Sequence, residues 1–404
     1  MHPNVLSTRD RTAIIIAAGA FFICITMGVR QSFGLFLPPY TETLGMGRDT
    51  FSFAIAMQNI VWGFASPLFG ALADRRGPVL AVALGGLLYT AGLLLMAMAG
   101  SGATFTLAQM LIGGGMAGAG FSVILGTVGK VVAPEKRSFA LAIVTAAGSF
   151  GQFAVVPLAQ QGIELLGARQ GVFLLAALTI LLILAAPLLR LPANAPKARA
   201  SESNTAVLKT AFASKSYVLL SLGFFVCGFQ VVFISTHLPA YVNDAGLPVS
   251  AAVTALALIG LFNILGTLVC GWVGDKMPKK DALAIFYVLR SVVIIIFLLL
   301  PLSSFTVALF GAAIGFLWLG TVPLTSGLVA VFFGARHMSM LYGVVFLSHQ
   351  AGSFMGAWLG GVLYEATGSY DIVWYIAIIL GGVAAALHYP IREKSDARYS
   401  ANFG

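Results

Sequence analysis

Twelve apolar stretches, each long enough to cross a lipid bilayer as a helix, occupy most of this 404-residue chain. A helix rises about 1.5 Å per residue, so about twenty apolar residues span the hydrocarbon core. The predicted spans are residues 12–38, 51–72, 78–99, 103–129, 138–161, 168–189, 215–241, 249–273, 281–301, 304–330, 339–362 and 370–389. Hydrophobic residues make up 59% of the chain and charged residues 9%, which leaves no charged exterior for a soluble fold. The sequence therefore predicts an all-α, multi-pass integral membrane protein.

Basic residues are distributed unevenly along the chain. If the N-terminus is cytoplasmic, 19 of the 23 lysines and arginines fall in the N-terminal segment, the cytoplasmic loops or the C-terminal tail. Only Arg48 and Arg169 fall outside, and Arg30 and Arg290 lie within spans. This positive-inside asymmetry predicts that both termini are cytoplasmic, at the plasma membrane or the inner membrane of a bacterium. Topology thus explains the net charge of +9, and we predict no nucleic-acid partner.

The sequence shows no constellation for catalysis or metal binding. Cys24, Cys227 and Cys270 fall within apolar spans without metal-ligand spacing, which is typical of small buried hydrophobic residues. The sequence has no Walker-type phosphate loop, so we do not expect ATP-driven transport by this chain alone. We predict that the protein is not an enzyme and needs no cofactor.

Two internal matches at nearly the same offset indicate that the chain consists of two related halves. Residues 70–77, GALADRRG, place a glycine four residues before Asp74, and residues 271–276, GWVGDK, repeat this spacing around Asp275. The two aspartates lie 201 residues apart, and an Ala-Gly-Ser-Phe sequence recurs after 204 residues. A polar, proline-containing stretch after span six has the composition of a linker. The predicted units are an N-terminal six-helix bundle, a cytoplasmic linker, and a C-terminal six-helix bundle with a short tail, over residues 1–190, 191–214 and 215–404.

This pattern resembles the major facilitator superfamily over essentially the whole chain, and residues 70–77 are similar to its loop between spans two and three. In that superfamily the loop aspartate caps a helix of the opposite half, and the arginines pair nearby, which holds the outward-open state. The resemblance implies two pseudo-symmetric six-helix bundles, alternating access and a monomer. It assigns a gating role to Gly70, Asp74, Arg75, Arg76, Gly77 and Asp275. The alternative is that the loop only fixes topology through its arginines.

A narrower resemblance is to the monocarboxylate and oxalate/formate carriers of the superfamily. Residues 32–38 (SFGLFLP), residues 134–138 (PEKRS) and the glycine-rich span four carry it. Two features of those carriers are missing: the Asp, Gly and Trp signature that opens span one in animal monocarboxylate carriers, and a charged Asp/Arg pair in span eight. At the second position this chain offers Asn263 and Thr267. The resemblance implies a small organic anion as substrate, a monocarboxylate or short dicarboxylate, moved with a proton or by exchange.

Arg30 and Arg290 are the two basic residues within the spans. A charge at membrane depth costs at least about 2.5–3.5 kcal/mol, and no acid lies in the central part of any span. The planar guanidinium of Arg30 fits a carboxylate, so this residue is a candidate anion clamp; alternatively it snorkels to the outer interface. Arg290 either reaches the cavity or bonds backbone carbonyls between helices. If both arginines reach the cavity, each half supplies one cation, which suits a dicarboxylate.

Two histidines lie in spans whose counterparts line the cavity in the superfamily. His237 stands near the outer end of span seven, and His349 lies in span eleven beside Gln350. Oxalate/formate-type carriers hold a substrate-contacting lysine in this part of span eleven. Histidine titrates near neutral pH, so either residue can carry a coupling proton. The alternative for both is an interhelical hydrogen bond.

Uncharged side chains within the spans are further candidates for ligand contact. Gln109 in span four, Asn59 in span two and Asn263 in span eight can each reach a ligand or bond a neighbouring helix. Tyr342 and Phe346 of span eleven can form an apolar wall around an organic tail. All Asp and Glu residues lie in loops or at span ends, which disfavours a cationic substrate.

Two other functions remain open from the sequence. Gly148, Gly151 and Pro157 of span five are similar to part of the Gly/Pro motif of superfamily antiporters, which would fit an exporter of drugs or amphipathic compounds. A transporter-like sensor would need a cytoplasmic output segment, and the tail after Ile391 is short. The predicted partners are the lipid bilayer, a small organic anion and, for a symporter, protons.

Overall fold

The computed structural model describes residues 8–46, 48–193, 195 and 203–403, and the regular elements assigned in them are helices. Three short 3-10 helices cover Phe33–Phe36, Pro134–Lys136 and Ala186–Leu189. The α-helices are α1 (Thr8–Gln31), α2 (Leu37–Leu44), α3 (Arg48–Arg76), α4 (Pro78–Ala97), α5 (Gly102–Ala119), α6 (Phe121–Val131), α7 (Arg137–Leu166), α8 (Ala168–Ala185), α9 (Asn204–Phe212), α10 (Lys215–Asp244), α11 (Val249–Lys276), α12 (Lys279–Leu299), α13 (Ser304–Phe316), α14 (Thr321–Phe333), α15 (Met338–Thr367), α16 (Asp371–His388) and α17 (Ala397–Phe403).

Twelve long helical segments coincide with the twelve predicted spans. Within the described residues, eleven of these segments are long and apolar enough to cross a membrane. The twelfth is α15, which has 30 residues but carries Ser348, His349 and Gln350 near its middle. The predicted all-α membrane fold of two six-helix bundles is therefore confirmed.

The fourth and tenth spans, which the sequence analysis treats as continuous, are each broken into two helices. Gly120 adopts an extended conformation between α5 and α6, and residues 317–320 separate α13 from α14. The first residues of α6 and α14, Phe121 and Thr321, lie 200 positions apart. The breaks are therefore equivalent in the two halves.

The same two spans also begin in the same way. Ser101 accepts a hydrogen bond from the backbone N–H of Thr104 and forms a capping box at the start of α5. Ser303 and Thr306 form the same capping box at the start of α13. Such a box satisfies amides that the first helical turn leaves free. The two serines lie 202 positions apart, close to the offsets of the internal matches.

The two halves contact each other through α3 with α15 and through α7 with α11. Glycines bring these helices close: a Cβ on Gly343 would lie 2.8 Å from the backbone N of Pro67, and a Cβ on Gly271 would collide with Ala142. On the outside of the bundle, Phe153 and Leu299 are 73% and 78% exposed, which fits a surface that faces lipid. Small residues at helix contacts are typical of membrane bundles, where lipid solvates apolar side chains as well as protein does.

Both described ends of the chain lie at one end of the bundle, which we call the terminal face. Arg11 at the start of α1 donates hydrogen bonds of 3.1 and 2.6 Å to the carbonyl of Arg190, after the sixth span. The ring of Tyr399 in α17 packs 4.8 Å from that of Phe333 at the end of α14. Of the predicted linker 191–214, residues 194 and 196–202 lie outside the described residues, and α9 forms near its end. The boundaries of the two units stay a prediction.

Candidate functional site

Arg30 lies in the last turn of α1, beyond the middle of the first span as seen from the terminal face. Its Nη2 donates a 3.0 Å hydrogen bond to Asn59 Oδ1, and its guanidinium carbon lies 5.3 Å from the centre of the Trp62 ring. Its Nε is buried without a hydrogen-bond partner. None of the ion pairs among the described residues involves Arg30. The guanidinium therefore keeps donor capacity and an uncompensated positive charge.

A polar layer joins Arg30 to the C-terminal half. Asn59 Oδ1 also accepts a 3.4 Å hydrogen bond from Gln350 Nε2, and Gln350 Oε1 lies 3.1 Å from His349 Nδ1. The Asn59 amide nitrogen donates to the carbonyl of Ile55 on its own helix, which fixes the side-chain orientation. Arg30, Asn59, His349 and Gln350 form this layer, with two members from each half. The structure thus brings three of the predicted site residues, Arg30, His349 and Gln350, into one layer, and their role in binding substrate stays a prediction.

An aromatic layer lies directly beneath the polar layer, on the side of the terminal face. Trp62 of α3 and Phe346 of α15 have ring centres 4.9 Å apart, and Phe346 lies 6.2 Å from Phe121 of α6. Phe346 also stacks on His349 at 5.3 Å, and Phe224 packs 4.8 Å from the same imidazole. Trp62, Phe121, Phe224 and Phe346 form this layer. Each of them is at most 4% exposed, and Trp62 and Phe121 of one half pack against Phe346 of the other.

Gln109 lies apart from the polar layer. Its Oε1 accepts a 2.9 Å hydrogen bond from Gln58, and its Nε2 donates to the sulfur of Met96 at 3.4 Å. These contacts join α3, α4 and α5 inside the N-terminal half. Gln109 therefore bonds neighbouring helices, which the sequence allows as the alternative to contact with a ligand.

Arg290 is buried and bonded to the break in the tenth span. Its guanidinium donates to the carbonyl of Leu317 at 2.8 and 2.6 Å, to the carbonyl of Trp318, and to Gln230 at 3.5 Å. The last carbonyls of a helix have no intrahelical partner, and α13 ends at Phe316. Arg290 therefore bonds carbonyls that have no partner within the helix. This is the second of the two interpretations of the sequence, in which Arg290 bonds backbone carbonyls instead of reaching the cavity. Its donors are not directed at the polar layer, so this geometry does not support a second cation for a dicarboxylate.

Asn263 and His237 also bond neighbouring helices. Asn263 Oδ1 accepts a 3.0 Å hydrogen bond from the backbone N–H of Leu319 at the same break, and its Nδ2 donates to Ser149 Oγ of the N-terminal half at 2.6 Å. His237 Nε2 lies 2.9 Å from the carbonyl of Ala357 on α15. The structure places neither residue in the polar layer.

The loop aspartates meet the helices of the opposite half at the terminal face. Asp74 accepts hydrogen bonds from the backbone N–H groups of Ser339 and Met340, at 3.4 and 2.9 Å, in the first turn of α15. Asp275 accepts bonds of 3.1 and 3.0 Å from Ser138 and Phe139 in the first turn of α7. A carboxylate at a helix N-terminus is favoured by the free amides and the helix dipole.

The two helix caps, formed by Asp74 and Asp275, differ in that Asp74 also forms an ion pair with Lys130. Its Nζ lies 2.6 Å from Asp74 Oδ1, and both side chains are 1% exposed. The ion pairs among the described residues do not include Asp275. Lys130 is not among the residues that the sequence predicts for this contact; its only signal is a lone lysine at the end of span four.

The remaining loop residues are placed around this contact. A Cβ on Gly70 would collide with the backbone of Ser339, so only glycine allows α3 to approach α15 here. Gly77 has a φ of 92° between α3 and α4, which favours glycine. Arg75 is half-buried and Arg76 is exposed at the end of α3.

The glycines of span five serve close packing between α1 and α7. A Cβ on Gly151 would collide with the backbone carbonyl of Cys24, and one on Gly148 would lie 3.1 Å from side-chain atoms of Ile23 and Met27. Helix packing thus accounts for both residues.

Comparison with known proteins identifies the family. The Major Facilitator Superfamily profile matches residues 16–357. The chain is 24% identical to Monocarboxylate transporter 13 of Rattus norvegicus over 383 residues, 93% of this chain and 88% of that protein. It is 22% identical to the Oxalate:formate antiporter of Oxalobacter formigenes over 379 residues, 92% of this chain and 89% of that protein.

Solved structures agree on the fold. The crystal structure of the E. coli fucose:proton symporter FucP superposes with a TM-score of 0.75 at 15% identity, covering 95% of this chain and 100% of that chain. The proton:xylose symporter XylE gives a TM-score of 0.73 at 13% identity, covering 98% of this chain and 99% of that chain. These findings confirm the resemblance inferred from the loop and the branch motifs. The chain belongs to the Major Facilitator Superfamily and is a multi-pass membrane transporter.

Proposed function

We propose that this transporter carries a small organic anion whose carboxylate binds Arg30. The observation that carries the proposal is the guanidinium of Arg30, which has no ion pair among the described residues and a buried Nε without an acceptor. A buried polar group without a partner is costly, and a charged one more so. A substrate carboxylate supplies both the missing acceptor and the missing charge.

The polar layer fits a carboxylate better than a cation or a neutral solute. Arg30 supplies the charge, and the Gln350 NH2 group, which uses one hydrogen on Asn59 Oδ1, has a second hydrogen to donate from the opposite half. Because Arg290 is bonded to backbone carbonyls, the site offers one guanidinium, which favours a monocarboxylate over a dicarboxylate. If transport is coupled to a proton, we assign the proton to the imidazole of His349 in the layer; exchange of one anion for another needs no such group.

Alternating access would proceed by opening the terminal face. In this structure that face is closed, because Asp74 and Asp275 each cap a helix of the opposite half. We place the terminal face in the cytoplasm, as the distribution of basic residues predicts. Substrate would then enter from outside to Arg30, and release would require both caps to break as the halves rock.

A second candidate is the extrusion of amphipathic compounds, which the aromatic layer favours. Four buried aromatic side chains next to one charge can also accommodate an apolar compound with a polar end. The two candidates differ in what binds: the exporter would accept cations or neutral amphiphiles, and the anion carrier would not.

Thermal stability of the purified protein tests the proposal. A ligand that binds only the folded protein raises its melting temperature with occupancy, so we would screen pyruvate, lactate, benzoate, oxalate, organic cations and neutral drugs. We expect stabilisation by monocarboxylates in the wild type, loss of this effect in Arg30→Gln, and its retention in Arg169→Gln, which removes an exposed arginine. Stabilisation by cations or neutral drugs alone would contradict the proposal and favour the exporter.

A further inference from the structure

We infer that the substrate carries one carboxylate and a flat, aromatic or conjugated body, and that Trp62 and Phe346 select it by taking that body between their rings. This inference rests on the proposed binding of a carboxylate to Arg30. It adds the shape of the rest of the substrate and names the two side chains that recognise it.

The position of Trp62 next to Arg30 indicates which side chains surround the body of the substrate. The guanidinium carbon lies 5.3 Å from the centre of the Trp62 ring, so a carboxylate bound to Arg30 places the adjoining part of the substrate next to this indole. Trp62 is 3% exposed and its nearest aromatic neighbour across the interface is Phe346, at 4.9 Å. The group attached to the carboxylate therefore meets two aromatic rings, one from each half.

The spacing between the Trp62 and Phe346 rings indicates the shape of the body that fits between them. Two rings that sandwich a third need each pair of faces about 3.5 Å apart, or about 7 Å between the outer rings. Trp62 and Phe346 are 4.9 Å apart and tilted by 57°, so a flat body can enter only if the rings separate by about 2 Å and turn towards parallel. A saturated ring is thicker than an aromatic one and would require a larger separation. A short aliphatic acid has no flat body to place between the rings, so it gains no such contact.

The helices that carry the two rings link this step to the gate. Trp62 lies on α3 and Phe346 on α15, and the same two helices meet nearer the terminal face where Asp74 caps α15. Moving the rings apart therefore pulls the halves apart about two helical turns from the gate along α15 and about three turns from it along α3. A substrate that inserts its body thus weakens the closed state, whereas an anion that only neutralises Arg30 does not. Selection for a flat body and promotion of opening follow from the same contact.

The first test needs no variant. We would measure dissociation constants of the purified wild type by isothermal titration calorimetry for benzoate, cyclohexanecarboxylate, acetate and phthalate. Benzoate and cyclohexanecarboxylate share charge and ring size and differ in flatness. We expect benzoate to bind about tenfold more tightly than cyclohexanecarboxylate and acetate, and phthalate to bind more weakly than benzoate, because its second charge has no cation.

Variants then assign the preference to the two rings. In Phe346→Leu the ratio of the two dissociation constants should fall to within about twofold, and Trp62→Phe, which keeps an aromatic face, should retain most of it. Phe153→Leu is the matched control, since Phe153 is 73% exposed on the outside of the bundle.

The outcomes separate this inference from the proposed function. Equal affinities for benzoate, cyclohexanecarboxylate and acetate, with all three lost in Arg30→Gln, would overturn the inference and leave the anion carrier standing. Carboxylate binding that survives in Arg30→Gln, or no carboxylate binding in the wild type, would overturn both. A flat-ring preference that persists in Phe346→Leu and in Trp62→Leu would overturn the assignment to these side chains.

Discussion

Two arginines within the spans of one bundle have different environments. Arg290 is 1% exposed and donates to the carbonyls of Leu317 and Trp318, so its charge is spread over backbone dipoles. Arg30 has a single side-chain acceptor, Asn59, and a buried Nε without one. Because leaving a buried donor unsatisfied costs free energy, Arg30 is the arginine for which binding an anion yields the larger gain.

Sequence reasoning identifies some of the site residues but not their neighbours. Arg30 and His349 are conspicuous because charged or titratable side chains are rare in apolar spans. Trp62 and Phe121 are missed, because aromatic residues are abundant in this chain and apolar periodicity cannot show which helix face meets the other half. Lys130 is missed because a lysine at a span end is commonly solvated, whereas here it is buried against Asp74.

The two loop aspartates give a matched pair for a stability prediction. Asp74→Asn removes the charge that faces buried Lys130, and breaking a buried ion pair by removing one partner costs about 3–5 kcal/mol. Asp275→Asn keeps a carbonyl oxygen that can cap the helix and removes only the charge at its N-terminus, which costs about 0.3–1 kcal/mol. We expect the melting temperature in detergent to fall markedly more for Asp74→Asn. Equal decreases would show that the Lys130 pair adds nothing to the closed state.

At the scale of the helix, the breaks in spans four and ten are the features that sequence reasoning does not predict. The hydropathy of both spans is continuous, so only the local signals remain: a run of glycines in residues 113–120, and Pro323 in the first turn of α14. Irregular backbone at membrane depth requires partners inside the protein. Those partners come from other helices, since Thr26 donates to the carbonyl of Ala119 at 3.1 Å and Asn263 accepts from Leu319.

The bonding at these breaks predicts a difference between two substitutions. Arg290→Met leaves two buried carbonyls without their donor, at about 1–3 kcal/mol each, and Thr26→Val loses one neutral hydrogen bond, worth about 1 kcal/mol. We expect the larger fall in melting temperature for Arg290→Met, with the stabilisation by monocarboxylates retained in the folded protein.

The opposite pattern for Arg290→Met would contradict this account of the tenth span. An unchanged melting temperature together with a lost response to carboxylates would place Arg290 in the substrate site rather than at the break.

At the scale of the whole molecule, duplication organises both the fold and the gate. The capping boxes at Ser101 and Ser303, the breaks and the loop aspartates recur at offsets of 200 to 202 residues. The number of spans and their division into halves could be predicted, because the lengths of the apolar stretches and the internal repeats can be read directly from the sequence. The chemistry of the site is not duplicated: Arg30 and Trp62 come from one half and His349 and Phe346 from the other. Only the packing of the halves brings them together.

The central claim is that Arg30 binds the carboxylate of a transported anion. The most direct measurement is the initial rate of uptake of radiolabelled pyruvate and benzoate into proteoliposomes that contain wild type, Arg30→Lys, Arg30→Gln or Arg169→Gln. We predict uptake of at least one of the two anions by the wild type and by Arg169→Gln. The loss of a charge-assisted hydrogen bond predicts a decrease of about tenfold or more in Arg30→Gln, with Arg30→Lys in between. Uptake by Arg30→Gln at the wild-type rate would contradict the claim.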